Sequence, residues 1–301
     1  MEICKLCLNK AKLIRSHILP DFAARWLKKT GATPYFRKAV CPNKRVQGIS
    51  KENLLCVDCE SLFSQEEDKF ASAIFHPYVE NELDENGAGT GKIETFAYKG
   101  WLLRFIISLQ WRTIASRFIQ ASELPSWQRL TLETFEDIWR DFLLGTRDNT
   151  GDCETHMMFF RELSGANFDA FDQLGKGVNY YLLRTVDATT VSFPKKRLAV
   201  YSKLGPIVFF TSLLPSKIKR SQDSKIRMKG CIKTAQRLGN LMVNRFVLID
   251  RPNEVSSIYE ISDKQKKVIE KDMSANPKKT RDSLTYRAFE SDIKIGKEFD
   301  I

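Results

Sequence analysis

Large hydrophobic residues recur every three to four positions in the first half of the chain, which is the spacing of one face of an α-helix. The pattern predicts four helices: residues 22–29, a segment that begins just after Cys59, residues 98–120 and residues 127–144. Pro125 and Gly145 mark the two ends of the last one. We expect the aromatic residues of these segments to form a core, because such sets are usually packed inside a protein.

The pattern changes near residue 177 to short runs rich in β-branched and aromatic residues. Four runs have the composition of strands: residues 179–186, 197–201, 207–211 and 244–249. Lys203 to Pro206 predicts a turn, and hence a hairpin, between the second and the third. Residues 255–273 indicate another helix, and the polar segment after residue 274 is expected to be mobile.

Residues 81–91 are acidic and rich in glycine, which is typical of a linker. The sequence therefore predicts a small N-terminal domain over residues 1–80, a linker over residues 81–91 and a second domain over residues 92–301. The second domain is predicted to be helical to about residue 175 and then to contain strands and a basic segment. The predicted fold class is α+β.

Basic residues outnumber acidic ones, with 48 Lys and Arg against 37 Asp and Glu and a formal net charge of +11. The excess lies at the two ends of the chain, and it favours nucleic acid as a partner, DNA more than RNA. A merely solvated basic surface is the alternative. The candidate phosphate contacts are Arg15, Arg25, Lys44 and Arg45 in the first region and Lys219, Arg220, Arg227 and Lys229 in the second.

Two C-x2-C pairs, Cys4 with Cys7 and Cys56 with Cys59, bracket a histidine, His17. Two such pairs together supply the four thiolates of a tetrahedral zinc site. Buried reduced thiols or disulfides are the alternatives, but residues three apart rarely form a disulfide without strain. A site with four cysteines leaves zinc no open position, so the predicted zinc is structural.

The first residues show no basic segment followed by an apolar run, so the sequence predicts no secretory signal. The most apolar stretch, residues 101–109, is interrupted by Arg104 and is too short to span a membrane. We therefore expect a cytoplasmic protein with no membrane partner.

The order Cys-x2-Cys, Ser16-His17-Ile18-Leu19-Pro20, Leu-Leu-Cys-x2-Cys-Glu60 resembles the HNH (His-Asn-His) endonuclease superfamily in its zinc-bound, treble-clef form. The resemblance covers about residues 1–76. It implies a ββα-like finger that hydrolyses phosphodiester bonds, with His17 as general base and Asn53 steadying its loop. It also implies a catalytic Mg²⁺ or Mn²⁺ on Glu60 and Ser16, although Ser16 stands where the family has Asp or His.

Two other functions fit the same residues. A zinc finger of this kind that binds nucleic acid without cleaving it would keep the cysteines and the basic surfaces. A scaffold of a multi-protein complex would instead bind protein partners through residues 92–301, whose first part is rich in aromatic residues.

Overall fold

The computed structural model describes residues 2–164, 173–219, 221–237, 239–258 and 261–297. The strands of this part are β1 (Glu2–Ile3), β2 (Lys10–Ala11), β3 (Leu13–His17), β4 (Phe36–Lys38), β5 (Cys41–Val46), β6 (Lys51–Cys56), β7 (Thr95–Tyr98), β8 (Glu154–Phe159), β9 (Val186–Phe193), β10 (Arg197–Leu204), β11 (Ile207–Leu214) and β12 (Gly230–Lys233). Helices and small sheets are mixed, which confirms the predicted α+β class.

The α-helices of the same residues are α1 (Asp21–Lys29), α2 (Val57–Phe70), α3 (Gly100–Ala115), α4 (Arg117–Gln120), α5 (Ser126–Leu144), α6 (Val178–Arg184), α7 (Leu241–Arg245), α8 (Arg251–Ile258), α9 (Asp263–Ser274), α10 (Pro277–Arg281) and α11 (Leu284–Lys294). Three π-helical segments continue them, at Ala71–Phe75, Tyr78–Glu82 and Phe246–Asp250.

The N-terminal region has the order of a treble clef: a turn between two cysteines, a pair of strands and a helix. Strands β1 and β2 flank the turn, and β3 pairs antiparallel with β6, which leads directly into α2. Helix α1 and the hairpin of β4 and β5 lie between the two paired strands in the chain. We call residues 2–70 the finger.

The rest of the chain is built on an antiparallel sheet with the strand order β8-β11-β10-β9. Side chains alternate across it, as strand geometry requires: Leu198 and Val200 belong to one hydrophobic core, and Ala199 and Tyr201 to the other. Helix α3 lies against the first face, and α6 belongs to the core on the second. The sheet is therefore covered on both faces.

One hydrophobic core joins the finger to the sheet. The ring of Phe70 from α2 stacks on that of Phe105 from α3, with centroids 4.1 Å apart, and packs edge-on against Phe209 of β11 at 5.6 Å. In the predicted linker, Glu82 is fully buried and pairs with Arg161 at 2.7 Å. The division into two domains stays a prediction, and the two regions share one continuous interior.

Three predicted elements are wrong. Residues 178–184 form helix α6 and not the start of a strand, and residues 244–249 are helical too, after Asn240 accepts the amide hydrogens of Met242 and Val243 as an N-cap. Short apolar runs do not distinguish a buried strand from a buried helix. Residues 275–297 are folded into α10 and α11, and Asp292 of α11 accepts hydrogen bonds from the first amides of α6; the end of the predicted mobile segment lies outside the described residues.

The predicted long helix over residues 98–120 is divided. Strand β7 ends at Tyr98, α3 follows, and an extended backbone at Ser116 separates α3 from α4. None of the helices in the described ranges combines the length and the apolar character needed to cross a membrane.

Candidate metal centre and histidine cavity

The four cysteines of the two pairs come together at one end of the finger. Their sulfur atoms all lie within 4.8 Å of one another, and those of Cys7 and Cys56 are 3.9 Å apart. Zinc at about 2.3 Å from each of four sulfurs in a tetrahedron requires sulfur–sulfur distances of about 3.8 Å. All seven cysteines of the chain lie in the described part and are free thiols. The cluster therefore fits a metal such as zinc.

Local backbone geometry presents the thiols. The turn after Cys4 closes when the Leu8 amide donates to the Cys4 carbonyl at 2.9 Å, and Leu8 takes the left-handed conformation, with φ of 60°. Cys56 ends β6, and its amide donates to the Cys4 sulfur at 3.4 Å. Cys59 lies in the first turn of α2, where the helix dipole favours a thiolate.

The thiols need a cation to ionise together. Burial alone would raise the pKa of the Cys4 thiol, but backbone amides, led by that of Cys7, lower it to about 7. Burial raises the pKa of the Cys59 thiol strongly, and the neighbouring sulfurs raise it further. Without a cation the Cys4 thiolate is favoured and the Cys59 thiol stays protonated. A divalent ion removes that conflict, because it stabilises all four thiolates at once.

His17 ends strand β3 at the edge of a cavity. Lys51 lies opposite it in the β3–β6 register, whereas Cys56 lies opposite Leu13, so His17 sits roughly 15 Å along the strands from the cysteines. The cavity has a volume of about 390 Å³ and is lined by Arg15, His17, Asp21, Val46, Gln47, Gly48, Ile49 and Lys51.

The imidazole of His17 carries a free nitrogen. Its Nε2 is buried and lacks a hydrogen-bond partner among the described residues, although Oδ1 of Asp21 lies 3.4 Å away. Burial lowers the pKa of His17 below its usual 6.5, and the charge of Lys51 lowers it further against the opposing effect of Asp21. The ring is thus neutral at pH 7 and able to accept a proton.

A substitution of Lys51 tests whether its charge lowers the pKa of His17. Replacing Lys51 with Met is expected to raise the His17 pKa towards 6.5, because a nearby cation disfavours the imidazolium. An NMR titration measures it, since the chain has only three histidines. Lys12→Met, at an exposed site on the same finger, is the control. An unchanged His17 pKa in Lys51→Met would contradict the account.

The other residues that the resemblance implicates are differently placed. Asn53 is exposed on β6, two residues from the position opposite His17 and on the same face of the strand pair. Ser16 points to the opposite face and is fully buried, and its hydroxyl has no hydrogen-bond partner in the described part of the chain. Glu60 lies in the first turn of α2, and its Oε2 likewise has no hydrogen-bond partner among the described residues.

The described residues bring no pair of carboxylate or histidine side chains to Glu60. In the described ranges, the four cysteines form the only group of three or more His, Cys, Asp and Glu side chains close enough to share an ion. Mg²⁺ is often held by one or two carboxylates and several waters, so two protein ligands remain chemically sufficient. The roles of Asn53, Ser16 and Glu60 stay predictions.

A buried arginine of α3, outside the finger, holds the His17 backbone. Arg112 of α3 is 1% exposed, donates from Nη1 to the His17 carbonyl at 2.8 Å and pairs through Nη2 with Glu67 of α2. Its guanidinium also lies over the Phe63 ring, 5.3 Å from the centroid. The sequence signal was a charged residue in the last turn of a largely apolar helix, where a buried charge needs a partner.

The candidate phosphate contacts fall into two groups. Arg15 lines the cavity, and Arg25 pairs with Asp21 at 3.2 Å. Lys44 and Arg45 are exposed on β5. Of the second group, Lys219, Arg227 and Lys229 are exposed, and Arg220 lies outside the described residues.

The two basic regions are far apart. The amide of Arg227 donates to the hydroxyl of Tyr98, just before α3 begins, whereas Arg112, which binds His17, is in the last turn of α3. Fourteen positions, most of them in α3, separate Tyr98 from Arg112 by about 20 Å. Comparisons of the chain with models of protein families, with curated proteins and with solved structures gave no match.

Proposed function

We propose that this chain binds nucleic acid through its zinc-stapled finger and hydrolyses a phosphodiester bond beside His17, as an HNH-like endonuclease. The observation that carries the proposal is the buried Nε2 of His17, at the edge of a cavity lined by Arg15 and Lys51. This nitrogen lies 3.4 Å from Asp21 and has no hydrogen-bond partner in the part of the chain that the structure describes. An imidazole that is neutral at pH 7 is a suitable general base. The two cations are the groups that a phosphate requires.

In this mechanism, Nε2 of His17 takes a proton from water as that water attacks the phosphorus. The bond from phosphorus to the leaving oxygen breaks, and the leaving oxygen takes a proton from solvent water. Asp21, 3.4 Å away, stabilises the imidazolium that results. Arg15 and Lys51 bind the phosphate oxygens. Glu60 and Ser16 would hold a hard divalent cation, which would supply charge neutralisation at the phosphate and the leaving oxygen. Arg112 holds the His17 carbonyl, and with it the strand end that carries the base.

The test is cleavage of plasmid DNA and of RNA with Mg²⁺ or Mn²⁺. His17→Ala is expected to reduce the rate by about a hundredfold or more while affinity is retained, since a general base contributes about that much. His76→Ala is the matched control, because His76 is a partly exposed histidine beyond α2 that pairs with Glu80. Cleavage that survives in His17→Ala, or no cleavage by the unaltered protein with either cation, would refute hydrolysis.

Binding without hydrolysis is the second candidate, and the position of Ser16 favours it. A fully buried hydroxyl on the far face of β3 is a poor ligand for a cation beside His17. Salt-dependent binding without cleavage would support this candidate. A scaffold protein would show neither salt-dependent binding of nucleic acid nor cleavage, and it would co-purify with partner proteins.

A further inference from the structure

Tyr35 and two arginines form a compact cluster on the β4–β5 hairpin. The guanidinium carbons of Arg37 and Arg45 lie 5.5 Å and 5.2 Å from the centre of the Tyr35 ring. Arg37 and Arg45 are direct partners in the register of the hairpin. Like charges placed directly opposite each other destabilise a strand pair, so the arrangement requires an anion nearby.

Helix α9, near the other end of the chain, supplies that anion. Asp272 accepts a hydrogen bond from the Tyr35 hydroxyl at 2.7 Å, and the same oxygen lies 3.8 Å from Arg45. Gln265, two turns earlier, accepts from Arg37 at 2.9 Å. The carboxylate of Asp272 thus occupies the position, relative to the arginines and the tyrosine, that a phosphate oxygen would take.

Helix α9 is attached to the hairpin by these polar contacts and by the hydrogen bond that the Ser262 amide, at its N-cap, donates to Asn43 Oδ1 at 2.8 Å. None of its residues is buried, and the Asp272 side chain is 35% exposed. Hydrogen bonds and ion pairs that are open to water stabilise a contact only weakly. Helices with few buried apolar contacts are the ones that open first. Release of α9 would leave the aromatic ring and both guanidinium groups uncovered.

The uncovered cluster has the chemistry of a single-strand binding site. Bases stack on an aromatic ring while arginines bind the flanking phosphates, and such stacking needs bases that are not already paired in a duplex. The cluster also borders the His17 cavity, because Val46, which lines the cavity, directly follows Arg45. A strand on Tyr35 would therefore continue towards His17.

We propose that Tyr35, Arg37 and Arg45 bind single-stranded nucleic acid and that α9 covers this site through Asp272 and Gln265. This inference rests on the nucleic-acid partner of the proposed function but not on hydrolysis. The strand displaces α9, so that weakening the contact of α9 with the hairpin strengthens binding.

Fluorescence anisotropy with a labelled single-stranded oligonucleotide tests the proposal on the full chain. Asp272→Asn removes the charge beside Arg45 and weakens the hydrogen bond from Tyr35, and it is expected to tighten binding about threefold to tenfold, because less of the protein is held in the covered state. Glu270→Gln is the matched control: Glu270 is an exposed acid on the same helix, and its removal changes the net charge equally. Equal affinities of the two variants would overturn the proposal.

Further measurements identify the kind of nucleic acid that binds and test whether Tyr35 binds it. Single strands of DNA and RNA with the same sequence show which of the two nucleic acids binds more tightly. A duplex is expected to bind Asp272→Asn and Glu270→Gln with equal affinity. Tyr35→Leu added to Asp272→Asn should reverse the gain, and retention of the gain would refute the role of the ring. Hydrogen exchange of residues 263–274 should accelerate when the strand is added. Failure to cleave, with these results intact, would refute hydrolysis alone.

Discussion

Cys59→Ser is expected to be purified without zinc and with an unfolded finger, whereas the unaltered protein is expected to carry one zinc per chain. Zinc coordination by four thiolates is worth about 10–16 kcal/mol in small zinc domains, which equals or exceeds the whole stability of a typical protein. The cluster ties the Cys4 turn to the start of α2, and the other anchors of the turn are the buried side chain of Leu6 and the hydrogen bond from the Lys5 amide to the Leu54 carbonyl. Loss of one ligand therefore removes the main constraint on the turn.

Elemental analysis and circular dichroism on the same samples measure both effects. Cys231→Ser is the matched control, because Cys231 is exposed on β12 and far from the cluster in the chain. A chelator should reproduce the effect of Cys59→Ser on the unaltered protein. One zinc ion in Cys59→Ser, or none in the unaltered protein, would contradict the assignment.

Arg112→Met is expected to lower the free energy of unfolding by about 3 kcal/mol. Removing one partner of a buried ion pair usually costs about 3–5 kcal/mol, and the value here is at the low end because Glu67 is 18% exposed and can be hydrated. The substitution also leaves the His17 carbonyl without its donor. Methionine fills most of the volume, so that the loss reflects charge and hydrogen bonding rather than a cavity.

Urea denaturation gives the free energy of unfolding of Arg112→Met. Arg227→Met, at an exposed arginine, is the control and should change stability by less than about 0.5 kcal/mol. If both variants unfold at the same urea concentration, the contacts of Arg112 with His17 and Glu67 do not stabilise the attachment of the finger to α3. A fall in stability with an unaltered His17 NMR signal would limit its role to packing.

The elements that the sequence predicted correctly are those whose signal is local. Helices α2 and α5 show a clear 3.6-residue period, and the hairpin of β10 and β11 turns at Gly205, where φ is 55°. A side chain there would also meet the Trp26 ring at 2.9 Å. The cysteine cluster was predictable because its spacing in the sequence is itself the constraint.

The errors and omissions depend on tertiary contacts. Helix α6 was mistaken for a strand because Tyr181 and its neighbours are buried on a helix that the sheet and α11 cover, so they show no polar face. Lys51 became a neighbour of His17 only through the register of β3 and β6, and Arg112 only through the docking of α3. The closeness of Lys51 and Arg112 to His17 does not follow from the order of residues along the chain.

The stack of Phe70 on Phe105 has a consequence for how this protein can evolve. Because the two rings belong to the finger and to the sheet-bearing half, a size change in one must be matched by the other or leave a void. A recombination event that exchanged residues 1–80 for those of a distant homologue would separate rings that were selected together. We therefore expect the finger to be inherited with its partner half and not shuffled as an independent module.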